Sequence, residues 1–318
     1  MICDQCPRLC SARREADLPG GVCAMPDMAV VARAALHHWE EPSISGTGGA
    51  GTVFFSGCNL RCVFCQNSSI SQDGFGKPVT VDRLREIFRA LIDQGAHNID
   101  LVTPTHFAHV VAGALEEPLP VPVVWNTGGY ERVETLRALE GKVQIYLPDL
   151  KYMDPHRAGR YSAAPDYPQV ATAAIKEMFR QVGPCEFDSE GILKRGVVIR
   201  HLLLPGGLNE AKEVMDWVAS EFPKGAVYFS LMSQYVPLGR AAEYPEINRP
   251  LRGSEIRAAQ EYMAALDLPG YIQDPASASD SYVPAFDLKG VYKAFPCGRA
   301  FFAGGPVSRP YTRYNVIT

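Results

Sequence analysis

Residues 56–67 of the chain contain three cysteines, and no fourth cysteine lies near them in the sequence. Cys58, Cys62 and Cys65 are separated by three and then by two residues, a spacing at which three thiolates can hold one iron–sulfur cubane. Four thiolates satisfy every iron of a [4Fe-4S] cluster, so a set of three leaves one iron with an open coordination position. Structural zinc takes four ligands, and three thiolates therefore make a poor closed zinc site. The pattern predicts a cluster whose open iron binds a substrate or a cofactor.

A second set of cysteines lies near the start of the chain, in a polar stretch that contains several prolines, glycines and arginines. Residues 1–40 are too few to bury a core of their own, and small units of this kind usually need a metal or a cross-link. Tetrahedral thiolate sites suit both metals, so the pattern leaves zinc and a second [4Fe-4S] cluster open. A second cluster is slightly favoured because the first cluster needs electrons. The predicted ligands of this second metal site are Cys3, Cys6, Cys10 and Cys23.

The elements that position these cysteines follow from the hydrophobic pattern. From residue 51 onward, short apolar runs rich in β-branched residues alternate with helical patterns, which is typical of βα units around a parallel sheet. Strands are predicted at residues 52–56, 99–103, 121–126, 143–147, 197–204 and 227–232. Helices are predicted at residues 82–94, 106–116, 133–139, 168–182, 209–222 and 253–266.

The fold class that this pattern predicts is α/β, an open, partial (β/α)6 TIM-like barrel. The strands are nearly continuous apolar runs, as expected of strands that are covered on both faces. The barrel is predicted over residues 41–270, between the Cys-rich metal-binding segment 1–40 and an irregular C-terminal extension over 271–318. Chemistry in such barrels gathers at the carboxyl ends of the strands, and the loop with Cys58 follows directly on the first predicted strand.

Polar residues follow several predicted strands where this chemistry should lie. Asp149 and Lys151 are two apart on one face of an extended segment, so they could hold a ribose or a carboxylate; a half-solvated salt bridge is the alternative. Arg200 lies in an apolar strand and needs an anionic partner such as a bound carboxylate, whereas the adjacent His201 is more typical of a core residue. Gln234 offers a donor and an acceptor to an adenine edge.

Further candidate cofactor contacts follow the second and third strands or lie in the cysteine loop. Two of them are adjacent glycines, which allow a sharp turn and a close approach of the backbone to a ligand. These candidates are Phe64, Thr103, Thr105, Asn126, Thr127, Gly128 and Gly129. Cys185 is predicted to be a structural thiol, and for Cys297 a contact with substrate or a redox partner is the weaker alternative. No catalytic side chain is assigned beyond the cluster ligands.

The cysteine spacing, the apolar run before it and the aromatic Phe64 before the last cysteine resemble the radical S-adenosylmethionine superfamily. The resemblance implies that S-adenosylmethionine chelates the open iron through its amino and carboxylate groups. It also implies that an electron from the cluster cleaves this cofactor to methionine and a 5′-deoxyadenosyl radical. Within the superfamily, the chain resembles a group of pyruvate formate-lyase activating enzyme-like proteins, often called PflX-like. The stretches that carry this resemblance are residues 3–10, 36–67, 102–106, 145–151, 200–206 and 231–235.

Similarity to the glycyl-radical-enzyme activases suggests roles for individual residues. By this resemblance, Asp149 and Lys151 hold the sugar and the methionine end of the cofactor. Arg200 lies at its carboxylate, and Gln234 stands where the activases have a histidine near adenine. The activases commonly carry Gly-Gly-Glu after the second strand, where this chain has Thr-Pro-Thr-His at residues 103–106. This departure weakens the activase assignment and leaves the radical chemistry untouched.

The functional prediction is a radical S-adenosylmethionine oxidoreductase that abstracts hydrogen from an unidentified substrate. A glycyl-radical partner protein is the first substrate hypothesis, and a small molecule or a ribosomal peptide is equally open. The alternative from another class is an iron–sulfur electron carrier or redox sensor without radical chemistry. Because three cysteines leave one iron of the cluster without a protein ligand, the pattern argues against a simple electron carrier.

Charge and composition exclude other classes of partner. The net charge is −4 and there is no long run of lysine or arginine, so neither nucleic acid nor an anionic membrane surface is expected. The chain lacks a signal-peptide pattern and an apolar stretch of membrane-spanning length, which predicts a cytoplasmic protein. Its predicted partner is a reducing electron donor, flavodoxin-like or ferredoxin-like.

Overall fold

The computed structural model describes residues 2–273 and 284–292 with their side chains, and the backbone of residues 311–314. The position of Cys297 lies outside the described residues. The described strands are β1 (Ala29–His37), β2 (Ala50–Phe55), β3 (Lys77–Val79), β4 (Ile99–Val102), β5 (Val123–Thr127), β6 (Ile145–Pro148), β7 (Glu186–Phe187), β8 (Leu193–Leu202), β9 (Tyr228–Met232), β10 (Gly270–Gln273) and β11 (Tyr311–Tyr314). The described α-helices are α1 (Pro42–Ser45), α2 (Ser68–Ser71), α3 (Val81–Asp93), α4 (Ala108–Ala114), α5 (Val133–Ala138), α6 (Pro155–Ser162), α7 (Tyr167–Val182), α8 (Leu208–Glu221) and α9 (Gly253–Ala265).

The strands form one sheet in the order β11-β10-β9-β8-β6-β5-β4-β2-β1-β3, and β7 pairs with β8. Strands β2, β4, β5, β6, β8, β9 and β10 form a continuous parallel series. The strands β1, β3 and β11 are antiparallel and lie toward the two edges. Among the described residues the strand order ends at β3 and at β11, so the barrel is open between these edges.

The structure confirms the predicted fold class. Each predicted strand and each predicted helix has a counterpart at nearly the same residues. The structure adds the strands β1, β3, β7, β10 and β11 and the helices α1, α2 and α6 to the predicted elements, and β10 is the one added strand of the parallel series. Because β1 pairs with β2, the segment predicted over residues 1–40 overlaps the barrel sheet. None of the described helices is both long enough and apolar enough to span a membrane.

Helix α3 shows why these helices form and how they cover the sheet. The hydroxyl of Thr80 accepts a hydrogen bond from the backbone amide of Arg83 and caps the first turn. Apolar residues recur at intervals of three and four, which places them on one face of the helix. This face packs against β1, β2 and β4. The buried side chains are Leu84, Ile87, Phe88 and Leu91.

Two layers of side chains fill the barrel interior. Side chains two residues apart on a strand point to the same face, so one strand can contribute to both layers. The apolar layer consists of Ile44, Ala50, Val124, Ile145, Leu147, Leu193, Val198 and Tyr271. The charged layer lies further toward the carboxyl ends of the strands and consists of Glu40, Asn126, Asp149, Lys151 and Arg200.

The segment between β1 and β2 closes the amino end of the barrel. His37 pairs with Ala50 at the start of β2, so the chain leaves β1 at this end. Ile44 of α1 is buried in the apolar layer, and its carbonyl oxygen accepts a hydrogen bond from the side-chain amide of Asn98 at 2.8 Å. This closure leaves the carboxyl end of the barrel as the open end, where the cysteine loop lies.

Candidate functional site

A cavity of about 230 Å3 lies inside the barrel, among the carboxyl ends of the parallel strands. The cysteine loop, the ends of β5, β6 and β8, and the segments after β4 and β9 contribute to its wall. The fold thus brings together residues that lie far apart in the sequence. The predicted site residues that line the cavity are Cys58, Cys62, Phe64, Cys65, Thr103, Asn126, Thr127, Gly128, Asp149, Lys151, Arg200 and Gln234.

Hydroxyl groups hold two sulfur atoms of the cysteine loop in place. The hydroxyl of Ser162 donates to Cys62 Sγ at 2.9 Å, and Ser71 Oγ lies 3.3 Å from Cys65 Sγ. Burial raises the pKa of all three thiols, including Cys58, and each thiol raises the pKa of a neighbour in the set. A thiol that coordinates a metal is deprotonated outright, so iron binding would overcome these shifts.

The three thiols of the cysteine loop are not grouped as ligands of a single metal ion. Within the part of the chain that the structure describes, no group of three or more histidine, cysteine or acidic side chains is arranged to hold one metal ion. Two thiolates on one zinc ion lie about 3.8 Å apart, because each Zn–S bond is about 2.3 Å long. A cubane binds each thiolate to a different iron and therefore needs thiolates that are more widely spaced. Cys58, Cys62 and Cys65 line one cavity together, and their number and sequence spacing are those of a cubane with one open iron.

Arg200 is the centre of the charged layer. It donates hydrogen bonds to Asp149 Oδ1 at 2.9 Å, to Asn126 Oδ1 at 2.6 Å and to Glu40 Oε2 at 3.2 Å. The ammonium group of Lys151 forms an ion pair with the second oxygen of Asp149. Burial would raise the pKa of Asp149, but the charges of Lys151 and Arg200 outweigh burial and lower this pKa. The anionic partner that the sequence requires for Arg200 is thus supplied within the protein.

Three acidic residues that the sequence pattern did not single out lie close to Arg200. Glu40 lines the cavity and forms an ion pair with Arg200. Asp100 of β4 is fully buried and accepts a hydrogen bond from Thr52 Oγ1 at 3.2 Å. Burial and the nearby Glu40 raise the pKa of Asp100 well above its usual range, and burial raises the pKa of Glu41 to about 7. The available signal was Asp100 itself, a charged residue inside an apolar strand.

The structure does not bring Thr105 and Gly129 to the cavity. The hydroxyl of Thr105 donates to Glu131 Oε1 at 2.5 Å, and Thr127, which does line the cavity, donates to the same oxygen. Despite these bonds, burial raises the pKa of Glu131 to about 7. Gly129 has a φ of +80°, and a Cβ atom there would lie 2.1 Å from the carbonyl oxygen of Asp149. This position therefore requires glycine so that the turn after β5 can pack against the end of β6.

Aromatic and amide contacts orient two other cavity residues. The side-chain oxygen of Gln234 accepts a hydrogen bond from Gln273, so the added strand β10 orients a predicted cofactor contact. Phe64 packs edge-on against Tyr161 and Tyr235, with ring centroids 6.5 and 6.1 Å apart. These contacts fix the cysteine loop next to its last cysteine.

His201 and Cys185 have the structural surroundings that the sequence favours for them. The Nδ1 atom of His201 lies 2.7 Å from the carbonyl oxygen of Leu150, and burial lowers the pKa of this histidine to about 4. Cys185 Sγ donates to the carbonyl oxygen of Val197 at 3.4 Å. Neither residue lines the cavity.

The N-terminal cysteines lie outside the cavity, in a segment that packs against the cysteine loop. Arg8 of this segment donates to the carbonyl oxygen of Asn59 at 2.7 Å and to that of Ser162 at 2.9 Å. Of the four N-terminal thiols, the buried ones are Cys3, Cys6 and Cys23, and the exposed one is Cys10. Burial raises the pKa of Cys6 to about 12, and the neighbouring thiols of Cys23 and Cys3 act in the same direction.

Comparison with known proteins places this site in a family. The model of the radical SAM superfamily matches residues 52–182, which run from β2 through the cysteine loop to the end of α7. An uncharacterized protein of Methanocaldococcus jannaschii is 31% identical over 270 residues, which are 81% of this chain and 73% of that protein.

Two solved structures are similar to this chain at low sequence identity. Methylornithine synthase (PylB) is 16% identical, with a TM-score of 0.48, over 75% of this chain and 67% of that chain. SuiB of Streptococcus suis, bound to S-adenosylmethionine, is 14% identical, with a TM-score of 0.45, over 65% of this chain and 44% of that chain. The match thus spans less than half the length of SuiB. Because the family model covers the strand, the three-cysteine loop and the helices after it, the chain belongs to the radical SAM superfamily.

Proposed function

We propose that this radical SAM enzyme abstracts hydrogen from its substrate inside the barrel cavity. The observation that carries the proposal is the cysteine loop, whose three thiols line a cavity together with the charged layer. When bound, the cluster and S-adenosylmethionine supply one-electron reductive cleavage of the cofactor to methionine and a 5′-deoxyadenosyl radical. The ligands of the cluster are Cys58, Cys62 and Cys65.

The charged layer supplies complementary groups for S-adenosylmethionine. Asp149 and Lys151 hold the sugar and the methionine end, and Arg200 meets the carboxylate. Arg200 is already bound to Asp149 and Glu40, which fixes its guanidinium group before a ligand arrives. Other contacts in this proposal are Phe64, Thr103, Asn126, Thr127, Gly128 and Gln234.

The apolar part of the wall protects the reaction from water. Phe54, Leu202 and Met232 line the cavity beside the charged residues. A water-excluding site prevents side reactions of a reactive intermediate and strengthens the ion pairs within it. The closed amino end of the barrel serves the same purpose, because it keeps solvent from entering the cavity on that side.

The substrate that we put forward first is a peptide loop of a glycyl-radical partner protein. Its support is the sequence resemblance to activating enzymes, which extends beyond the cysteine loop to residues 145–151 and 200–206. A small molecule or a ribosomal peptide is the second candidate class. Incubation of the reduced protein with each class, followed by detection of a glycyl radical or of a mass change, separates the two.

The radical chemistry is tested by product analysis under anaerobic conditions. The reconstituted protein is reduced with dithionite and mixed with S-adenosylmethionine, and 5′-deoxyadenosine and methionine are measured. We expect both products from the wild type and from the control Cys185→Ala, and neither from the triple variant C58A/C62A/C65A. An intact cluster that yields no 5′-deoxyadenosine would overturn the proposal and favour the electron-carrier alternative.

A further inference from the structure

The first part of the N-terminal segment folds back on itself so that its cysteines approach one another. The backbone amide of Cys3 donates to the carbonyl oxygen of Ala12 at 2.9 Å. The amide of Leu9 donates to the carbonyl oxygen of Cys6 at 3.1 Å, which turns the chain between Cys6 and Cys10. These bonds place three cysteines within one compact loop.

A second turn brings the fourth cysteine to the same loop. The amide of Gly20 donates to the carbonyl oxygen of Met25 at 3.1 Å, and Cys23 lies inside the turn that this bond closes. Gly21 has a φ of +73°, and a Cβ atom there would lie 2.8 Å from Cys10 Sγ. The turn with Cys23 thus lies directly against the thiol of Cys10.

A buried guanidinium group lies beside these thiols. Arg14 is fully buried and donates to Cys3 Sγ at 3.2 Å. It also donates to the carbonyl oxygens of Met25, Pro26 and His106. A buried cation stabilises negative charge next to it, so Arg14 favours an anionic thiolate centre at this position.

The four thiols are close neighbours but do not surround a single point. No set of three ligands for one metal ion exists among the described residues, and this holds for the N-terminal set as for the cysteine loop. Zinc has no redox chemistry, whereas a [4Fe-4S] cluster can carry one electron. A four-thiol site that lies against the cysteine loop therefore favours a cluster over zinc.

The N-terminal cysteines and the cysteine loop are in direct contact. Arg61 donates to the carbonyl oxygen of Val22 at 3.1 Å. A Cβ atom on Gly57 would lie 3.0 Å from the carbonyl oxygen of Cys23, and Gly57 directly precedes Cys58. Residues next to the ligands of one set thus touch residues next to the ligands of the other. Two clusters at these positions would lie within the short range over which electrons tunnel through protein.

Several apolar side chains of the N-terminal segment are exposed to solvent. Cys10 is exposed. Six large hydrophobic side chains are strongly exposed in the described part of the chain, and four of them lie in this segment. Exposed apolar side chains that are concentrated in one segment are more typical of an interaction surface than those scattered singly. The four side chains are Ile2, Leu9, Leu18 and Val22.

We infer that the N-terminal cysteines hold a second [4Fe-4S] cluster that relays electrons to the cysteine loop. A reduced ferredoxin-type carrier gives up one electron at the exposed Cys10 side of this site. The N-terminal cluster is reduced by that electron and is reoxidised when the electron passes to the cluster of the cysteine loop. No bond forms or breaks in this transfer. The electron relay rests on the proposed function, whereas the presence of the N-terminal cluster does not depend on it.

Metal content tests the second cluster without any need for activity. After anaerobic reconstitution, we expect about eight irons per chain in the wild type and about four in C58A/C62A/C65A, because each [4Fe-4S] cluster holds four. Reduced C58A/C62A/C65A should show the EPR signal of a [4Fe-4S] cluster, and the control Cys185→Ala should match the wild type. One zinc and no iron in the triple variant would overturn the inference. If the triple variant keeps its iron while the wild type forms no 5′-deoxyadenosine, the second cluster stands and the proposed function fails.

A comparison of two reductants tests the relay. In the variant C3A/C6A/C10A/C23A, 5′-deoxyadenosine formation driven by dithionite should stay within about twofold of the wild type, since this small reductant reaches the cysteine loop directly. Formation driven by reduced ferredoxin should fall by about tenfold or more, because the relay is lost. The relay would be contradicted if 5′-deoxyadenosine formation fell equally with both reductants, or if it did not fall with ferredoxin. If this variant does not fold, the EPR spectrum of the fully reduced wild type decides: two clusters in contact give a spin-coupled signal, and two independent signals would contradict the relay.

Discussion

The apolar and charged layers of the barrel interior are built from the same strands but have opposite chemistry. Val124 of β5 packs in the apolar layer, and Asn126 two residues later lies in the charged layer. The same change occurs between Leu147 and Asp149 and between Val198 and Arg200. The register of the strands is therefore what places charge next to the cysteine loop and hydrocarbon at the closed end.

The comparison separates residues that stabilise the barrel from residues that make it reactive. The apolar layer gains stability from burial of hydrocarbon. The charged layer holds ionic groups out of water, which costs free energy unless each charge is paired. Glu40, Asp149 and Arg200 are nevertheless retained as one network at the cavity. A network of charged side chains that is held at a cavity is more typical of a ligand-binding site than of a hydrophobic core.

The largest effect is expected from the removal of the central cation of the charged layer. Arg200→Leu would leave Asp149 and Glu40 buried with reduced compensation, so we expect the free energy of unfolding to fall by about 3–5 kcal/mol. Binding of S-adenosylmethionine should be lost as well, because the carboxylate contact disappears. Chemical denaturation and calorimetric titration of the reconstituted protein measure the two effects.

The variant Arg200→Lys is the matched control for this change. It keeps the charge but lacks the planar fork that donates to three residues at once, so we expect intermediate stability and intermediate affinity. If Arg200→Leu binds the cofactor as the wild type does, Arg200 serves the structure alone, and the contrast between the two layers fails at this residue.

The next effect concerns the pH dependence of stability. Burial raises the pKa of Glu131 and of Glu41 from 4.5 to about 7 in the folded protein. Their protonated forms therefore stabilise the fold fully below pH 4.5, and this contribution, a few kcal/mol, is lost as the pH rises toward 7. Glu131→Gln should flatten the decrease in the free energy of unfolding between pH 4.5 and pH 7.

An exposed carboxylate provides the control for this pH effect. Glu134→Gln on α5 changes the same functional group at the surface and should leave the slope of the wild type unchanged. Equal slopes for Glu131→Gln and the wild type would show that the buried carboxyl is not protonated in this pH range.

The smallest effect is expected in the apolar layer. Ile145→Val removes one methylene group from a fully buried side chain and should lower the free energy of unfolding by about 0.5–1.5 kcal/mol. The affinity for S-adenosylmethionine should stay unchanged, because Ile145 does not line the cavity. A loss of affinity larger than the loss of stability would show that the two layers are coupled.

The repeating part of the fold could be predicted from the sequence, because each βα unit carries its own hydrophobic pattern. The strand β10 could not, since Gly270–Gln273 contains only two apolar residues, Tyr271 and Ile272, and follows directly on Pro269. The sequence pattern also did not predict that the segment after β1 forms the floor of the cavity. Glu40 and Glu41 are charged residues in an irregular stretch. Glu40 is half-buried and Glu41 is fully buried, because residues far away in the sequence form the barrel around them.

The part of the candidate site that lies at strand ends could be predicted from the sequence. Asp149, Lys151 and Arg200 meet because the carboxyl ends of parallel strands lie at one edge of the sheet. Thr105 lies close to Thr103 in the sequence but contacts Glu131, since the chain turns into a short 3-10 helix at this point. The direction of a side chain after a strand depends on the turn, which the sequence pattern does not specify.

The central claim is that three thiols leave one iron open for S-adenosylmethionine. Its most direct test is the EPR spectrum of the dithionite-reduced, reconstituted protein, recorded before and after addition of S-adenosylmethionine. The account predicts that the cofactor changes the signal of the cluster held by Cys58, Cys62 and Cys65, and that C58A/C62A/C65A shows no such change. A wild-type spectrum that stays the same while the iron content remains intact would contradict the account.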